Sequence, residues 1–418
     1  MTHLPVSRRT FLQAATGAAV APYFVPRRAF GANDRILTGH IGLGGQGMGN
    51  FKRFGEQAVA VCDVDKNRLA SAAKVLEARG LKPLMFEDYR QMLENKDINA
   101  VVISTPDHWH ALPTIHACQA KKDVYCEKPL SLTIAEGRKM VEAARKNECI
   151  VQTGSQQRSS ANFRLACELV RSGRLGKLQQ VLVGIPGSNF KGPPVPDSDP
   201  PAELNYNFWL GPAPLRPYNA KHVHYNFRFF WDYSGGQMTN WGAHHIDIAQ
   251  WGLGADDSGP VSVDGKGEFH PEGWYEVTSK CRINYEYANG VTLTVGQGHS
   301  DIKGGTTFIG SAGKIFVDRG KLSSEPAELI KQPLAESDVH LYASNNHHGN
   351  FLECMKTRKL PICDVEIGHR SATVCHLGNI SARLGRKFAW DPVHEKVIGD
   401  EQAQAMTERS YREPWKLG

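Results

Sequence analysis

The stretch that most constrains this chain is Gly42-Leu43-Gly44-Gly45-Gln46-Gly47, a G-x-G-x-x-G run directly after the apolar, strand-like residues 36–41. Glycines at that spacing let the chain turn tightly and bring bare backbone against a diphosphate. The helix that follows presents its free N–H groups and the positive end of its dipole. Alone the pattern is weak, but its context strengthens it. "AVAVCDVD" reads as a second strand ending at Asp63, about 20 residues on. An acidic side chain there accepts hydrogen bonds from adenosine ribose hydroxyls and repels a 2′-phosphate. The expected cofactor is NAD, with NADP less favoured.

Strand and helix go on alternating. Residues 65–80 read as a helix, and so does "DYRQMLENKD". "INAVVIST" is a buried strand, "HALPTIHACQAKK" a helix, "DVYCEKP" a strand and its exit, "TIAEGRKMVEAARKNE" a helix and "CIVQTGS" another strand. This order predicts the α/β class: a doubly wound parallel Rossmann sheet over residues 33–157. Ligands sit at the carboxyl ends of such strands. Besides the glycine loop (Gly42, Gly44, Gly45, Gln46, Gly47) and Asp63, those ends carry residues 105–110, Glu127-Lys128-Pro129 and Gln156. A Lys at a strand end, beside a Glu and locked by a Pro, is poised over a cofactor. The Pro also permits a cis bond that turns the side chain inward.

With "STPDHWHALPTIHACQAKKDVYCEKPLSLTIAEG" following the glycine loop, the chain resembles the glucose–fructose oxidoreductase / inositol dehydrogenase family, Gfo/Idh/MocA, across the whole of the chain after residue 32. The resemblance implies that Lys128 lies beside the nicotinamide and the substrate hydroxyl. It implies cofactor contacts from Pro106, Asp107, Trp109, His110 and Glu127; Thr105 and Gln156 are expected to add to them from their place at the strand ends. It also implies a second domain whose sheet closes over the nicotinamide and often mediates oligomers, so a homodimer or homotetramer is expected.

From about Arg158 the alternation stops, and residues 158–418 are expected to form an α+β domain with C-terminal helices. "GKLQQVLVGI" is a strand, and residues 192–201 are a Pro-rich, acidic surface loop. "EVTSKCRINYEYANGVTLTVGQG", "TTFIGSAG" and "KIFVD" alternate with period two around the hairpin signals Asn289-Gly290 and Ala312-Gly313, which predicts a large, mostly antiparallel sheet. "NNHHGNFLECMKTRKLP" and "GHRSATVCHLGNISARLGRKFAWDP" read as two helices.

The chemistry is expected in "GGQMTNWGAHHIDIAQW", with a helix beginning near Trp241. The resemblance implies an Asp-x-x-x-His pattern here, whose His, matching His244, is a base or proton relay. This chain has Asn240 where that pattern has Asp. An amide cannot take a proton as a carboxylate can. Either another group, such as Asp247, orients His244, or the proton path runs through Lys128. Arg158, Arg228, Trp241, His244 and His245 are the expected substrate contacts, with Tyr225 and Trp231 as further candidates: aromatics stack on sugar rings and Arg bonds hydroxyls. His222, His224, His244, His245, Asp247, His347 and His348 would be ligand-competent if they converged, but their spacings match no short zinc motif, and no metal is expected.

Composition narrows the partners. With 41% hydrophobic and 22% charged residues, the 418-residue chain has the balance of a soluble two-domain protein. No apolar run reaches the roughly 18 residues of a membrane span. The net charge of +6 forms no basic stripe with interleaved aromatics, which argues against nucleic acid. The nine cysteines include no C-x-x-C, and Cys62, Cys118 and Cys126 read as buried free thiols. Ser7-Arg8-Arg9-Thr10-Phe11-Leu12, then a weakly apolar stretch over residues 13–25 and small residues at 31–32, resembles a twin-arginine export signal over residues 1–32. That route carries folded proteins, so a cofactor loaded in the cytoplasm would travel with the chain to the periplasm.

The expectation is an exported oxidoreductase that removes hydride from a sugar, glycoside or cyclitol and keeps its NAD bound and recycled. The alternatives are a redox-neutral NAD-dependent glycoside hydrolase or lyase acting through a 3-keto intermediate, and a non-catalytic sugar-binding protein.

Overall fold

The computed structural model describes residues 35–190 and 192–417. The export-signal reading lies outside the described residues. The first sheet has six parallel strands: β1 (Thr38–Ile41), β2 (Ala58–Cys62), β3 (Leu84–Phe86), β4 (Ala100–Ile103), β5 (Asp123–Cys126) and β6 (Val151–Thr153), in the order β3-β2-β1-β4-β5-β6. β1, β4, β5 and β6 are buried along their whole length, as strands covered by helices on both faces must be. Short polar side chains start the helices between them. Asp65 caps Lys66–Glu77, Asp88 caps Tyr89–Glu94, and Thr133 with Glu136 forms a reciprocal capping box on Ile134–Lys146. β3 has no counterpart in the sequence reading. It is a three-residue edge strand, too short to show a period.

Register sets the site. Ile41 lies opposite both Cys62 and Ile103, Ile103 opposite Cys126, and Cys126 opposite Thr153. The next residue of each strand therefore stands in one row: Gly42, Asp63, Ser104, Glu127 and Gly154. The strand order reverses between β1 and β4, which is where such sheets open a crevice.

The second sheet has nine strands: β7 (Leu178–Ile185), β8 (Ser262–Glu268), β9 (Lys280–Glu286), β10 (Thr292–Gln297), β11 (Gly305–Gly310), β12 (Gly313–Asp318), β13 (Lys321–Glu325), β14 (Phe388–Asp391) and β15 (Lys396–Ile398). Every neighbouring pair is antiparallel except β7 with β10. Asn289-Gly290 turns β9 into β10, with Gly290 at φ +81°. The helix Ala161–Arg171, absent from the sequence reading, precedes this sheet and buries Phe163, Ala166, Cys167 and Val170, an i, i+3, i+4, i+7 stripe.

The helix Val365–Leu384 ties the two halves together. Val365 and Ala372 pack in the core of the first sheet, whereas Val374, Leu377 and Ile380 pack in that of the second. The tail returns to the first half as well. Tyr411 donates to Glu136 and Trp415 packs edge-on against Trp109 at 4.9 Å, while Arg412 between them grips the Asn207 carbonyl of the second half. All nine cysteines are buried free thiols. Among the described residues no helix is long and apolar enough to cross a membrane.

Candidate active site

A cavity of about 550 Å³ opens along the row of strand ends and is closed on its far side by the second half of the chain. Its floor is the glycine loop. Gly42 has φ +84°, and a Cβ there would sit 2.8 Å from the Ser104 backbone. A Cβ on Gly47 would meet the Gly42 carbonyl oxygen at 1.9 Å, so this third glycine lets the helix Gly45–Phe54 lie against the turn and does not itself line the cavity. Gly45 faces space with no atom within 4 Å of a Cβ placed on it. That is room for a diphosphate over the helix start. Arg68 reaches across the loop to within 2.9 Å of the place a Gly44 Cβ would take.

At the end of β2 the Asp63 carboxylate accepts the Leu43 N–H at 2.7 Å and the Asp65 N–H at 2.9 Å. Each oxygen keeps a lone pair for a ribose hydroxyl. Burial pushes this carboxyl up, and the two N–H donors pull it back. The glycine cradle and this carboxylate together fit an adenine dinucleotide.

Beyond the loop, Glu127 Oε1 accepts from Gln46 Nε2 and Asn50 Nδ2, both at 2.8 Å, so the carboxylate braces the loop helix against β5. Asp107 accepts from Ser234 of the second half at 2.5 Å, and burial pushes its carboxyl up. His110 lies between the carbonyls of Pro129 (2.7 Å) and Thr105 (3.0 Å). The Trp109 indole N–H donates to the Trp209 carbonyl at 2.8 Å, and its ring stacks on Phe208. Thr105, Pro106 and Gln156 complete this wall.

Lys128 projects from the end of β5, and the Lys128–Pro129 bond is cis. Its Nζ donates to Asn240 Oδ1 at 2.8 Å, and Asn240 is oriented by Gln237, whose Oε1 accepts from its Nδ2 at 3.0 Å. Enclosure by protein pushes the Lys128 pKa down. Arg228 and Arg319 push the same way, against the pull of Glu127 and Asp107. His244, in the first turn of the helix Gly242–Leu253, also lines the cavity. Burial and then Lys128 hold its pKa well below the ordinary imidazole value, and its buried Nδ1 has no hydrogen-bond partner among the described residues.

Four sequence expectations do not match these positions. Arg158 lies outside the cavity: 1% exposed, it pairs with Asp247 at 2.8 Å and Asp256 at 2.7 Å. Asp247 is thereby committed to Arg158 and Ser371, and does not orient His244. His245 is one position further round its helix, about 100° away. It is turned toward Phe163 and Asp318, away from the cavity. Arg228, Trp241 and Tyr225 line the cavity, whereas Trp231 lies outside it between Arg383 and Arg409. The other histidines scatter. His224 bonds Asp65, His347 the Thr153 carbonyl and His348 Asn50, and His222 packs on Phe230. Among the described residues no group of three or more His, Cys, Asp or Glu side chains meets.

Several lining residues escaped the sequence reading. Ser234, Phe227, Trp209 and Arg68 are among them, and so is Arg319, which sits in the turn between β12 and β13 with its guanidinium 4.7 Å above the Trp241 ring.

Fold and cavity thus define a two-domain dinucleotide-binding protein whose second domain closes over the strand ends of the first. The chain belongs to the Gfo/Idh/MocA oxidoreductase family. Its residues 38–155 match that family's NAD-binding Rossmann fold, and residues 168–417 match its C-terminal alpha/beta domain. It is 30% identical over 175 residues to an inositol 2-dehydrogenase of Salmonella typhimurium, covering 40% of this chain and 50% of that protein. It is also 30% identical over 173 residues to a glycosyl hydrolase family 109 protein of Shewanella pealeana, covering 39% of this chain and 37% of that protein. The match thus spans half or less of the length of these relatives. The fold is that of the Bordetella pertussis WlbA dehydrogenase, solved with NADH and UDP-GlcNAcA (TM-score 0.63, 19% identity, 85% of this chain and 99% of that one). A Caulobacter crescentus aldose-aldose oxidoreductase, solved with glycerol, shares it too (TM-score 0.63, 20% identity, 84% and 99%).

Proposed function

We propose that this chain is an exported NAD-dependent oxidoreductase acting on a hydroxyl of a sugar, glycoside or cyclitol, with Lys128 as the base. One observation carries the reading: Lys128 Nζ faces a cavity shared with the glycine loop and has an amide, not a carboxylate, as its hydrogen-bond partner at 2.8 Å. Enclosure lowers its pKa, and Asn240 orients it without being able to hold its proton. The neutral amine then takes the proton of the substrate hydroxyl. A bound nicotinamide dinucleotide supplies the hydride acceptor. His244, neutral at ordinary pH, accepts a hydrogen bond from a second hydroxyl or relays the proton outward. Trp241, Trp209 and Phe227 shield the reacting atoms from water. The Asp63 carboxylate favours NAD over NADP.

The Ser7-Arg8-Arg9-Thr10-Phe11-Leu12 stretch supports twin-arginine export to the periplasm, with the cofactor captured beforehand and recycled in place. The test is the absorbance and mass spectrum of protein recovered from the periplasmic fraction. A nicotinamide dinucleotide that co-purifies, and is reduced when a sugar or cyclitol is added, supports the reading. Protein that is empty, and whose melting is indifferent to added NAD, overturns it.

The glycosyl hydrolase family 109 relative favours a second reading. Transient oxidation at carbon 3 acidifies the carbon-2 hydrogen, so that the anomeric group is eliminated and water then adds. Release of an anomeric group without net nicotinamide reduction and without added NAD selects this route. Oxidation that needs a second sugar to restore the cofactor selects the first.

A further inference from the structure

The Lys128 end of the cavity holds two guanidinium groups, those of Arg228 and Arg319, that no carboxylate pairs with among the described residues. Four carboxylates line the cavity: Asp63, Glu87, Asp107 and Glu127. Each is already engaged. Asp63 takes two backbone N–H groups, Asp107 the Ser234 hydroxyl, Glu127 two side-chain amides and Glu87 the Asn205 amide. Asp63 and Glu87 also follow β2 and β3, three and four strands from β5, which carries Lys128.

The cations at the Lys128 end have no such partners. Arg228 spends one N–H on the Tyr225 carbonyl at 3.0 Å and lies over the Tyr225 and Phe227 rings, at 4.1 and 5.4 Å. Arg319 lies over Trp241, and among the described residues it has neither a hydrogen bond nor an ion pair. Both are close enough to Lys128 to depress its pKa. An aromatic face holds a guanidinium flat and leaves its N–H edge free. That edge is a planar fork matched to two oxygens of one anionic group. Asp107 and Glu127 keep their charge and act on Lys128, but among the described residues neither forms an ion pair with either guanidinium, so both forks stay open to an anion that enters the cavity. The dinucleotide's diphosphate is already provided for by the glycine loop at the end of β1.

We propose that the substrate is an acidic sugar, bearing a carboxylate or phosphate that pairs with Arg228 and Arg319 while a ring hydroxyl meets Lys128. This rests on the oxidoreductase reading for the hydroxyl chemistry alone; the charge argument stands apart from it.

The experiment uses full-length protein loaded with NAD. Binding of D-glucuronate, glucose 6-phosphate and glucose is measured by titration calorimetry at low and high salt, and nicotinamide reduction is followed in parallel. The expected result is that one or both acids bind at least about ten-fold more tightly than glucose. That advantage should shrink as salt rises and fall about ten-fold in Arg319→Gln and Arg228→Gln. The better of the two acids identifies the anionic group. Binding of glucose equal to or tighter than both acids overturns the proposal, as does an acid-to-neutral ratio unchanged in both variants. Acid-selective binding without reduction of the nicotinamide supports the proposal and overturns the oxidoreductase reading instead.

Discussion

Lys128 and Arg158 are both cations taken out of bulk water by the same fold, and they have opposite surroundings. Arg158 is sealed in the core against Asp247 and Asp256, with Ser371 completing the Asp247 shell. Lys128 opens onto a cavity and has a neutral amide beside it. Two carboxylates fix a charge permanently and turn a cation into a brace. An amide orients a cation without stabilising it as strongly, which leaves the neutral amine within reach. The contrast shows that enclosure by itself says little about function; the charge of the partner decides.

Four changes break or sharpen that contrast. The largest effect is expected at Lys128. Lys128→Ala should cut kcat/KM by about 10²- to 10⁴-fold while leaving the thermal midpoint where it was, measured by steady-state kinetics beside calorimetry. Next comes Arg158→Ala, which leaves Asp247 charged and alone in the core. It should cost about 3–5 kcal/mol of folding stability in a denaturant titration. The third change, Asn240→Asp, gives Lys128 the kind of partner Arg158 has. A carboxylate there raises the Lys128 pKa. The base must be deprotonated to act, so the acid limb of the kcat/KM profile should move about 1–2 pH units upward. A downward move, or none, would remove Lys128 from the base role. The smallest effect is expected at Asp256, which is part-exposed at 30% of its side-chain surface. Asp256→Ala should cost about 1 kcal/mol, because solvent screens that half of the pair.

The sequence was informative wherever chemistry and local backbone geometry coincide. Gly42 and Gly47 declare themselves because a Cβ at either position collides with backbone. Asp63 and Glu127 declare themselves because strand register carries the residue after each strand into one row, and Lys128 follows Glu127 directly. It was misleading where adjacency in the chain differs from adjacency in space. Arg158 follows the cavity residue Gln156 by two positions yet points into the core toward Asp247. His245 follows His244 and faces Phe163. Arg319 could not be found at all, because the turn between β12 and β13 resembles any other and only sheet packing brings it over Trp241. The helix Ala161–Arg171 was legible in its apolar spacing and was hidden by the expectation that alternation ends at Arg158.

Trp109 draws its support from two distant places: the neighbouring Phe208 ring and Trp209 carbonyl, and Trp415. Those contacts give the nucleotide wall a calendar. A ribosome has made the glycine loop and Lys128 long before it reaches Trp415, so a growing polypeptide carries an unfinished pocket until that residue has been added. Firm coenzyme capture then belongs to the interval after Trp415 is in place, and its removal should loosen the grip on coenzyme before it disturbs either sheet.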